Sequence, residues 1–261
     1  RTLSPMSSLF DVAGKVVLVT GGSRGIGEMI ARGFVDAGAK VYISSRKADV
    51  CHALATELSA NGGTCIALPA DLSTESECRR LADEVASREP RLDVLVNNAG
   101  ATWGAPMAET DEAAFERVLA LNVKGVFHLT KFLRPQLEAA GTPDSPARVI
   151  NIGSIDGIHV PIMETYAYST SKAAVHQLTR HLARALAPNV TVNAIAPGPF
   201  ESKMMRATLD AFGDSIAAGA PMKRIGRPDD MAGTAIFLSS RAASYITGVI
   251  LPVDGGIATI G

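Results

Sequence analysis

The fold of this chain is decided by the stretch VVLVTGGSRGIG at residues 16–27. Its first five residues form an apolar, β-branched run that stops at a glycine pair, which predicts a short buried strand. The residues IGEMIARGFVDAG (26–38) then place apolar side chains at helical spacing and end at Gly38, a residue type that commonly caps helices. A strand that passes through glycines directly into a helix is the first half of a β-α-β unit.

The same order continues along the chain, where continuous apolar runs alternate with segments of helical spacing. Strands that are apolar throughout are covered on both faces, as in parallel sheets. With right-handed crossovers, the pattern predicts an α/β protein, a single-domain doubly wound Rossmann fold with a mainly parallel sheet flanked by helices. The further predicted strands are KVYISS (40–45), TCIALPA (64–70), LDVLVN (92–97), ARVINIG (147–153), VTVNAIA (190–196) and VILPV (249–253). One further predicted helix follows the second strand and ends near residue 60. Others cover 75–88, 111–140 and 165–187, and the region 199–240 is predicted to be a helical segment.

The chain is predicted to contain one domain. Residues 1–9 lack periodicity and are expected to form a disordered leader. The domain then covers 10–261 and includes a segment at about 199–227 that is expected to face the substrate. No stretch between these limits has the composition of an interdomain linker.

The composition excludes several classes of function. With 25 Lys and Arg against 26 Asp and Glu, the formal net charge is −1, so the chain lacks the basic surface that nucleic acids and anionic membranes attract. No apolar run approaches the ~18 residues of a membrane span. The three cysteines form no CxxC pattern, which argues against a disulfide framework and against a metal site. We expect a soluble, cytoplasmic protein with no nucleic-acid or membrane partner.

The glycines of TGGSRGIG (20–27) predict a dinucleotide site. Glycines allow the backbone to approach a pyrophosphate, and the helix that follows offers unpaired N–H groups and the positive end of its dipole. A glycine trio alone could equally be an ordinary tight turn. The strand before it and the helix after it, in the first β-α unit of the chain, favour the dinucleotide.

The residues after the second strand predict which dinucleotide is bound. An acid about 20 residues beyond the glycines would bind the ribose 2′-hydroxyl of NAD. This chain instead has Ser45, Arg46 and Lys47 there, and Arg24 lies inside the glycine turn. Guanidinium groups suit a 2′-phosphate, so NADPH is favoured over NADH. The alternative is that Arg46 and Lys47 only solvate the start of a helix.

Tyr168 and Lys172 are four residues apart on a predicted helix and therefore share a face. A free tyrosine has a pKa near 10, and a neighbouring ammonium is expected to lower that pKa. The pair could then act as a general acid for a carbonyl or a general base for an alcohol. A pattern of this kind also occurs by chance on helix surfaces. Tyr166 is the weaker candidate, because Thr170 four residues later carries no charge.

Taken together, these motifs resemble the short-chain dehydrogenase/reductase family. The match includes TGGSRGIG (20–27), NNAG (97–100), Ser154 and YSTSK (168–172), in the family's order, and it covers about residues 12–256. The combination is specific, although each motif alone is not. Within the family, the sequence is most similar to β-ketoacyl reductases, including the type linked to bacterial rhamnolipid synthesis.

The resemblance implies roles for individual residues. The catalytic set would be Tyr168 as proton donor and acceptor, Lys172 on the nicotinamide ribose, Ser154 on the substrate carbonyl and Asn122 on a water of the proton relay. Asn122 lies in a predicted long helix, where asparagine is unfavourable, so a local kink or a bound water is expected. The implied cofactor contacts, in addition to Tyr168 and Lys172, are Gly21, Ser23, Arg24, Gly25, Ile26, Gly27, Ser45, Arg46, Asp71, Leu72, Asn98, Ala99, Gly100, Pro197 and Gly198.

The segments that the family turns toward its substrate are apolar and rich in methionine in this chain. Such a set suits an adaptable apolar pocket, although these side chains could equally pack the core or a subunit contact. His159 is expected to be a hydrogen-bonding wall of that pocket. The candidate substrate residues are Trp103, His159, Phe200 and Met204.

The resemblance implies reduction of a ketone to a secondary alcohol by NADPH, with a 3-oxoacyl thioester of coenzyme A or acyl carrier protein as the expected substrate. One departure disfavours the carrier protein, which is acidic. The stretches before the fifth and sixth strands, 140–146 and 186–189, lack arginines, and only Arg148 is near. The alternatives are an alcohol, polyol or sugar dehydrogenase and a non-catalytic NADP sensor. The resemblance also implies a homotetramer built on the helices at 111–140 and 165–187.

Overall fold

A parallel sheet forms the centre of this computed structural model, which describes residues 6–60, 62–202 and 205–261. Within those residues the sheet has seven strands in the order β3-β2-β1-β4-β5-β6-β7, and every neighbouring pair is parallel. The order reverses direction between β1 and β4, as in doubly wound folds. This confirms the predicted fold class. The strands are β1 Val16–Thr20, β2 Lys40–Ser44, β3 Thr64–Ala67, β4 Val94–Asn97, β5 Ala147–Ile152, β6 Val190–Pro197 and β7 Ile250–Val253.

Helices connect successive strands and cover both faces of the sheet. The apolar strands alternate their side chains between two cores: Val17 and Val19 face one, while Leu18 faces the other. Helices α2, α3 and α9 cover the first core, and α4, α6 and α7 cover the second. The helices are α1 Met6–Leu9, α2 Gly25–Asp36, α3 Ala48–Ser59, α4 Glu75–Arg88, α5 Glu112–Leu119, α6 Val126–Ala140, α7 Tyr166–Leu186, α8 Arg206–Gly219, α9 Pro228–Ser239 and α10 Ile257–Ile260.

The structure differs from the sequence-based prediction in the segment 199–240 and in the leader. The helical segment expected within 199–240 is two helices, α8 and α9, since Pro228 favours a new helix start. Residues 6–9 of the expected disordered leader form the short helix α1, and the rest of that leader lies outside the described residues.

The long helix expected over 111–140 is interrupted in its middle. A π-helical turn, Ala120–Gly125, separates α5 from α6 and contains Asn122. A Cβ atom on Gly125 would lie 2.5 Å from the Leu72 carbonyl oxygen, so glycine allows this turn to approach the segment after β3. The local distortion expected around Asn122 is therefore present, as a wider turn of the helix.

None of the helices in the described part of the chain combines the length and the apolar character of a membrane span.

The three cysteines are buried free thiols. Burial raises the pKa of Cys65 to about 12 and that of Cys78 to about 11, which disfavours their reactive thiolate forms.

The contact between α2 and α9 depends on Gly33. A Cβ atom at this position would lie 2.6 Å from the Cβ atom of Ala232 on α9. We predict that Gly33→Ala lowers the free energy of unfolding by about 1 to 2 kcal/mol, because the overpacking outweighs the gain in helix propensity. The matched control is Gly233→Ala on α9, where a Cβ atom would meet nothing within 4 Å. That variant should be slightly stabilised in the same urea titration, and equal effects of both variants would contradict the packing argument.

Candidate active site

The glycine turn between β1 and α2 is shaped by positions that admit no side chain. Gly21 and Gly25 have positive φ angles of 61° and 55°. A Cβ atom on Gly27 would lie 2.3 Å from the Gly21 carbonyl oxygen. The turn delivers the chain into α2, whose N-cap residue Arg24 makes no side-chain cap hydrogen bond. The first N–H groups of this helix are therefore suited to a phosphate.

Hydrogen bonds join this turn to the end of β4. The Thr20 hydroxyl oxygen accepts hydrogen bonds from the backbone N–H groups of Asn98 and Ala99, both at 3.0 Å. The Asn98 side chain donates to the carbonyl oxygens of Thr20 at 2.9 Å and Gly21 at 3.1 Å. Asn98 and Ala99 are thus held directly against the glycine turn, as the cofactor prediction requires.

The residues expected at the adenosine end follow β2 and β3. Arg24 and Arg46 are exposed, and among the described residues neither forms an ion pair. The Ser45 carbonyl oxygen accepts a hydrogen bond from Ala70, which brings the two strand ends together. Asp71 accepts a hydrogen bond from the backbone N–H of Ser73 at 3.2 Å, ahead of α4 rather than in its first turn.

Three of the four predicted catalytic residues lie just after β5 and on α7. Ser154 follows β5, and Tyr168 and Lys172 lie one turn apart on α7. The Ser154 hydroxyl is near enough to the Tyr168 phenol to favour its ionised form. The Lys172 ammonium donates to the Ile152 carbonyl oxygen at 2.8 Å and lies 5.5 Å from the centre of the Tyr168 ring. Tyr166, the weaker candidate, instead donates its hydroxyl to the exposed Glu164 carboxylate at 2.7 Å.

The π-helical turn brings Asn122 toward the same place. Its amide nitrogen donates to Ser171 Oγ and to the Ala101 carbonyl oxygen, both at 2.9 Å, and its Oδ1 accepts from the Ala101 N–H at 2.8 Å. A Cβ atom on Gly100 would lie 3.4 Å from Asn122 Oδ1 and 3.8 Å from Lys172 Nζ. All four predicted catalytic residues are therefore brought together beside the NNAG segment.

The expected effect of Lys172 on Tyr168 is wrong for this structure. Burial raises the pKa of Tyr168 to about 12, while the Ser154 hydroxyl opposes the rise and the Asp156 carboxylate adds to it. Burial also lowers the pKa of Lys172 to about 8. The low-polarity surroundings disfavour both charged forms. The phenol consequently keeps its proton at neutral pH.

The sequence analysis did not identify two residues that lie at this site, His176 and Asp156. His176, one turn beyond Lys172, is buried, and its Nε2 accepts a long hydrogen bond of 3.4 Å from the Ser154 N–H. A Cβ atom on Gly153 would lie 2.2 Å from that nitrogen, which explains the glycine before Ser154. Asp156 donates its backbone N–H to Ser154 Oγ at 3.1 Å. The four-residue spacing from Lys172 to His176 was the available signal.

The predicted substrate residues do not all lie at the opening of the site. Trp103 is 41% exposed and carries the Arg117 guanidinium 4.6 Å from its ring centre. Phe200 is instead 2% exposed and packs against Gly226, so its ring belongs to the core. Met204 lies outside the described residues. Large apolar side chains that are exposed on the surrounding segments are Met107, Ile158, Val160, Ile162, Met163, Phe212 and Met222.

The structure also locates the loop after β6, which was expected at the nicotinamide, and Arg148, the arginine near the stretches where a carrier protein was expected to dock. Gly198 follows β6 and donates to the Val253 carbonyl oxygen at 3.0 Å, directly after Pro197 at the carboxyl end of the strand. Arg148 is only 2% exposed and donates to the carbonyl oxygens of Pro146 and Ser240. Arg148 therefore contributes no surface charge near the fifth strand.

Comparisons with known proteins agree with this geometry. A family model described as enoyl-(acyl carrier protein) reductase matches residues 21–258. The chain belongs to the short-chain dehydrogenase/reductase family. The members of this family are oxidoreductases that use NAD or NADP.

Two similar proteins show how broad this family is. The rhamnolipids biosynthesis 3-oxoacyl-[acyl-carrier-protein] reductase of Pseudomonas aeruginosa is 48% identical over 254 residues, which are 96% of this chain and 99% of the relative. The 7alpha-hydroxysteroid dehydrogenase of Escherichia coli K12 is 36% identical over 245 residues, 93% of this chain and 94% of the relative.

A solved structure extends the comparison to three dimensions. The Pseudomonas aeruginosa RhlG/NADP active-site complex superimposes with a TM-score of 0.93 at 47% identity, covering 97% of this chain and 100% of that one. The seven-stranded order and the flanking helices are therefore those of a member of the same family solved with its dinucleotide.

The buried imidazole of His176 predicts a pH-dependent stability of this site. Burial lowers its pKa from 6.5 to about 4, so the unfolded chain takes up this proton first as the pH falls. The stability that neutral His176 contributes is fully present above pH 6.5 and is lost between pH 6.5 and 4. We predict that the free energy of unfolding falls over this window by about 2 to 3 kcal/mol more in the unmodified protein than in His176→Gln.

The measurement is a series of urea titrations from pH 7 to pH 4. The matched control is His181→Gln, an exposed histidine on the same helix. It should keep the pH dependence of the unmodified protein. A His176→Gln variant that loses stability with falling pH as steeply as the control would contradict the assignment.

Proposed function

We propose that this protein uses NADPH to reduce the ketone of a 3-oxoacyl thioester to a secondary alcohol. The observation that carries the proposal is the assembly around the Tyr168 phenol at the open end of the sheet: the Lys172 ammonium lies 5.5 Å from its ring centre, and Asn122 donates to Ser171, whose hydroxyl donates to the Tyr168 carbonyl oxygen. In these surroundings the phenol keeps its proton. A protonated phenol is the form required to donate a proton to a carbonyl oxygen. The 48% identity to a 3-oxoacyl reductase supports the thioester as the substrate class.

The residues of the glycine turn fit NADPH. The N-terminus of α2 has no side-chain cap and would receive the pyrophosphate. Arg24 and Arg46 are exposed and have no ion-pair partner among the described residues, so both are free to bind a 2′-phosphate. We assign the adenine side to Asp71 and Leu72, and the nicotinamide side to the segments around Asn98 and Pro197-Gly198.

The catalytic residues can then be given roles. When bound, NADPH supplies the hydride that is added to the carbonyl carbon. Ser154 would donate a hydrogen bond to the substrate carbonyl oxygen, and Tyr168 would transfer its phenolic proton to that oxygen. Lys172 would bind the nicotinamide ribose and attract the resulting phenolate. Asn122 would hold a water through which the proton is replaced.

The distribution of charge favours a coenzyme A thioester at least as much as a carrier-protein thioester. An acidic carrier protein is attracted to basic surfaces. The stretches before β5 and β6 lack arginines, and the nearby Arg148 is buried. A polyol or sugar would match the exposed apolar side chains around the opening less well, and a sensor without turnover would not need the assembled Ser154, Tyr168 and Lys172.

The function is tested by NADPH oxidation with a panel of ketones. The panel contains acetoacetyl and longer 3-oxoacyl coenzyme A esters, the same acyl groups on acyl carrier protein, and plain diketones, each repeated with NADH. The expected result is turnover that prefers NADPH and coenzyme A esters of longer chains. Activity on diketones alone would discard the acyl assignment, and tight NADPH binding without turnover would favour a sensor.

Removal of the proton donor should stop the reaction but not the binding of NADPH. We predict that Tyr168→Phe lowers kcat by about 10²- to 10⁴-fold, because the general acid is lost. The NADPH dissociation constant should change by less than about threefold. The control is Tyr166→Phe, whose hydroxyl contacts only exposed Glu164 in the described structure. Near-normal activity of Tyr168→Phe would refute the assignment.

The preference for NADPH should depend on Arg46. We predict that Arg46→Ala raises KM for NADPH about tenfold or more and leaves KM for NADH unchanged, since only NADPH carries the 2′-phosphate. Steady-state kinetics with both cofactors measure the change. Arg184→Ala, at the exposed end of α7, is the control for loss of a positive charge. An equal loss with both cofactors would mean that Arg46 does not contact the phosphate.

A further inference from the structure

The backbone just after β5 is folded around one imidazole ring. A Cβ atom on Gly153 would lie 2.2 Å from His176 Nε2, and a Cβ atom on Gly157 would lie 2.8 Å from His176 Cε1. Glycine at both positions therefore allows the loop 153–157 to approach the ring from two sides. The His176 side chain is buried, so it fills the inside of this loop and does not face solvent.

The imidazole also supplies a hydrogen-bond acceptor for the backbone of Ser154. The Ser154 N–H donates to His176 Nε2 at 3.4 Å, and both residues are buried. Burial lowers the pKa of His176 to about 4, so the lone pair on Nε2 is available to this donor at neutral pH. Removal of the acceptor would leave the N–H without this partner in a buried place, which is unfavourable.

The direction of the Ser154 hydroxyl depends on the same loop. Ser154 Oγ accepts a hydrogen bond from the Asp156 N–H at 3.1 Å, and the Ser154 carbonyl oxygen accepts one from the Gly157 N–H at 3.1 Å. The first bond uses an acceptor site of the hydroxyl and leaves its proton available to another oxygen. A loop that moved away from the imidazole would therefore also move the hydroxyl and turn its proton.

Helix α7 carries both the proposed proton donor and the ring that holds the serine. Tyr168, Lys172 and His176 follow one another at four-residue spacing and lie along one face of the helix. Lys172 donates to the Ile152 carbonyl oxygen, and His176 accepts from the N–H of Ser154, two residues further along the same backbone. Two side chains one helical turn apart thus hold the backbone after β5 at two points.

We propose that His176 is a positioning residue: by accepting the Ser154 N–H inside the loop, it holds the Ser154 hydroxyl where the substrate carbonyl oxygen binds. The inference rests on the proposed function, since it concerns the carbonyl that Ser154 and Tyr168 receive. The loop covers the imidazole, so His176 acts through Ser154 and not by contact with the substrate.

The role of Ser154 determines which kinetic constant should change. A hydrogen bond to the carbonyl oxygen strengthens as negative charge develops there, so a misplaced donor lowers kcat more than it raises KM. The main test variant is His176→Leu, which keeps most of the volume and removes the acceptor. It should lower kcat about 10- to 100-fold and change KM for the ketone and for NADPH by less than about threefold.

Two other substitutions separate the acceptor from the packing. His176→Gln carries an amide oxygen about as far from the helix as Nε2 and should keep kcat within about threefold. His176→Asn carries the same amide one methylene group closer to the helix, so it should lose activity like the leucine variant, which it replaces if leucine prevents folding. The control is Leu186→Ala at the buried end of α7, which loosens the helix far from Ser154 and should retain kcat.

A double-mutant cycle with Ser154→Ala tests whether His176 acts through the serine hydroxyl. In the Ser154→Ala background, His176→Leu should lower kcat by less than about threefold further, because the group that it positions is already absent. Losses that multiply would mean that the ring affects catalysis by another route, and they would overturn the proposal. Full activity of His176→Leu, or equal losses in the leucine and glutamine variants, would overturn it as well.

Hydrogen exchange followed by mass spectrometry tests the positioning without turnover. The segment 153–159 contains the N–H groups of Ser154, Asp156 and Gly157, whose exchange reports opening of the loop. Exchange should be about tenfold faster in His176→Leu and nearly unchanged in His176→Gln. This pattern in a protein that reduces no ketone would uphold the hold of His176 on Ser154 and refute the reductase assignment. Unchanged exchange in both variants would overturn the proposal whatever the activity.

Discussion

A parallel sheet covered by helices on both faces leaves only the ends of its strands open to a ligand. In this protein β1 ends at Thr20 and β4 ends at Asn97, and Ser154 follows two residues after the end of β5, whereas the strands themselves are buried and largely apolar. Ser154, the glycine turn and the NNAG segment therefore meet at one edge. Every group that the proposed mechanism needs either lies at that edge or is carried to it by a helix.

Buried hydrogen bonds fix the helices relative to that edge. Asn97 at the end of β4 donates to Thr130 on α6 at 3.1 Å and to Asn151 on β5 at 2.9 Å. Asn151 in turn donates to Thr179 on α7 at 2.9 Å. These side chains are buried, so a broken link would leave an unsatisfied polar group in the core. The chain of bonds ties α6 and α7 to the sheet, and with them the elements that carry Asn122, Tyr168 and Lys172.

The low polarity of the site determines the protonation state of its residues. Burial raises the pKa of Tyr168 and lowers the pKa of both Lys172 and His176. A neutral phenol and a neutral imidazole follow at physiological pH, with the lysine ammonium held by the Ile152 carbonyl oxygen. The Tyr168 phenol therefore has a proton to give in the proposed reduction, and the Asp156 carboxylate helps the phenol to keep that proton.

The sequence by itself determined the sheet, the glycine turn and the groups proposed to react. Continuous apolar runs that alternate with helical segments favour strands buried on both faces, and glycines between the first strand and a helix favour a phosphate-binding turn. The π-helical turn around Asn122, the burial of Phe200 and Arg148, and the pKa of Tyr168 were decided by the tertiary structure. Each depends on which distant segments pack together: Gly125 against Leu72, Phe200 against Gly226, and the surroundings that desolvate the phenol. Local spacing encodes which face a residue occupies, whereas burial, and with it the protonation state of a buried side chain, arises only when distant segments have folded against the sheet.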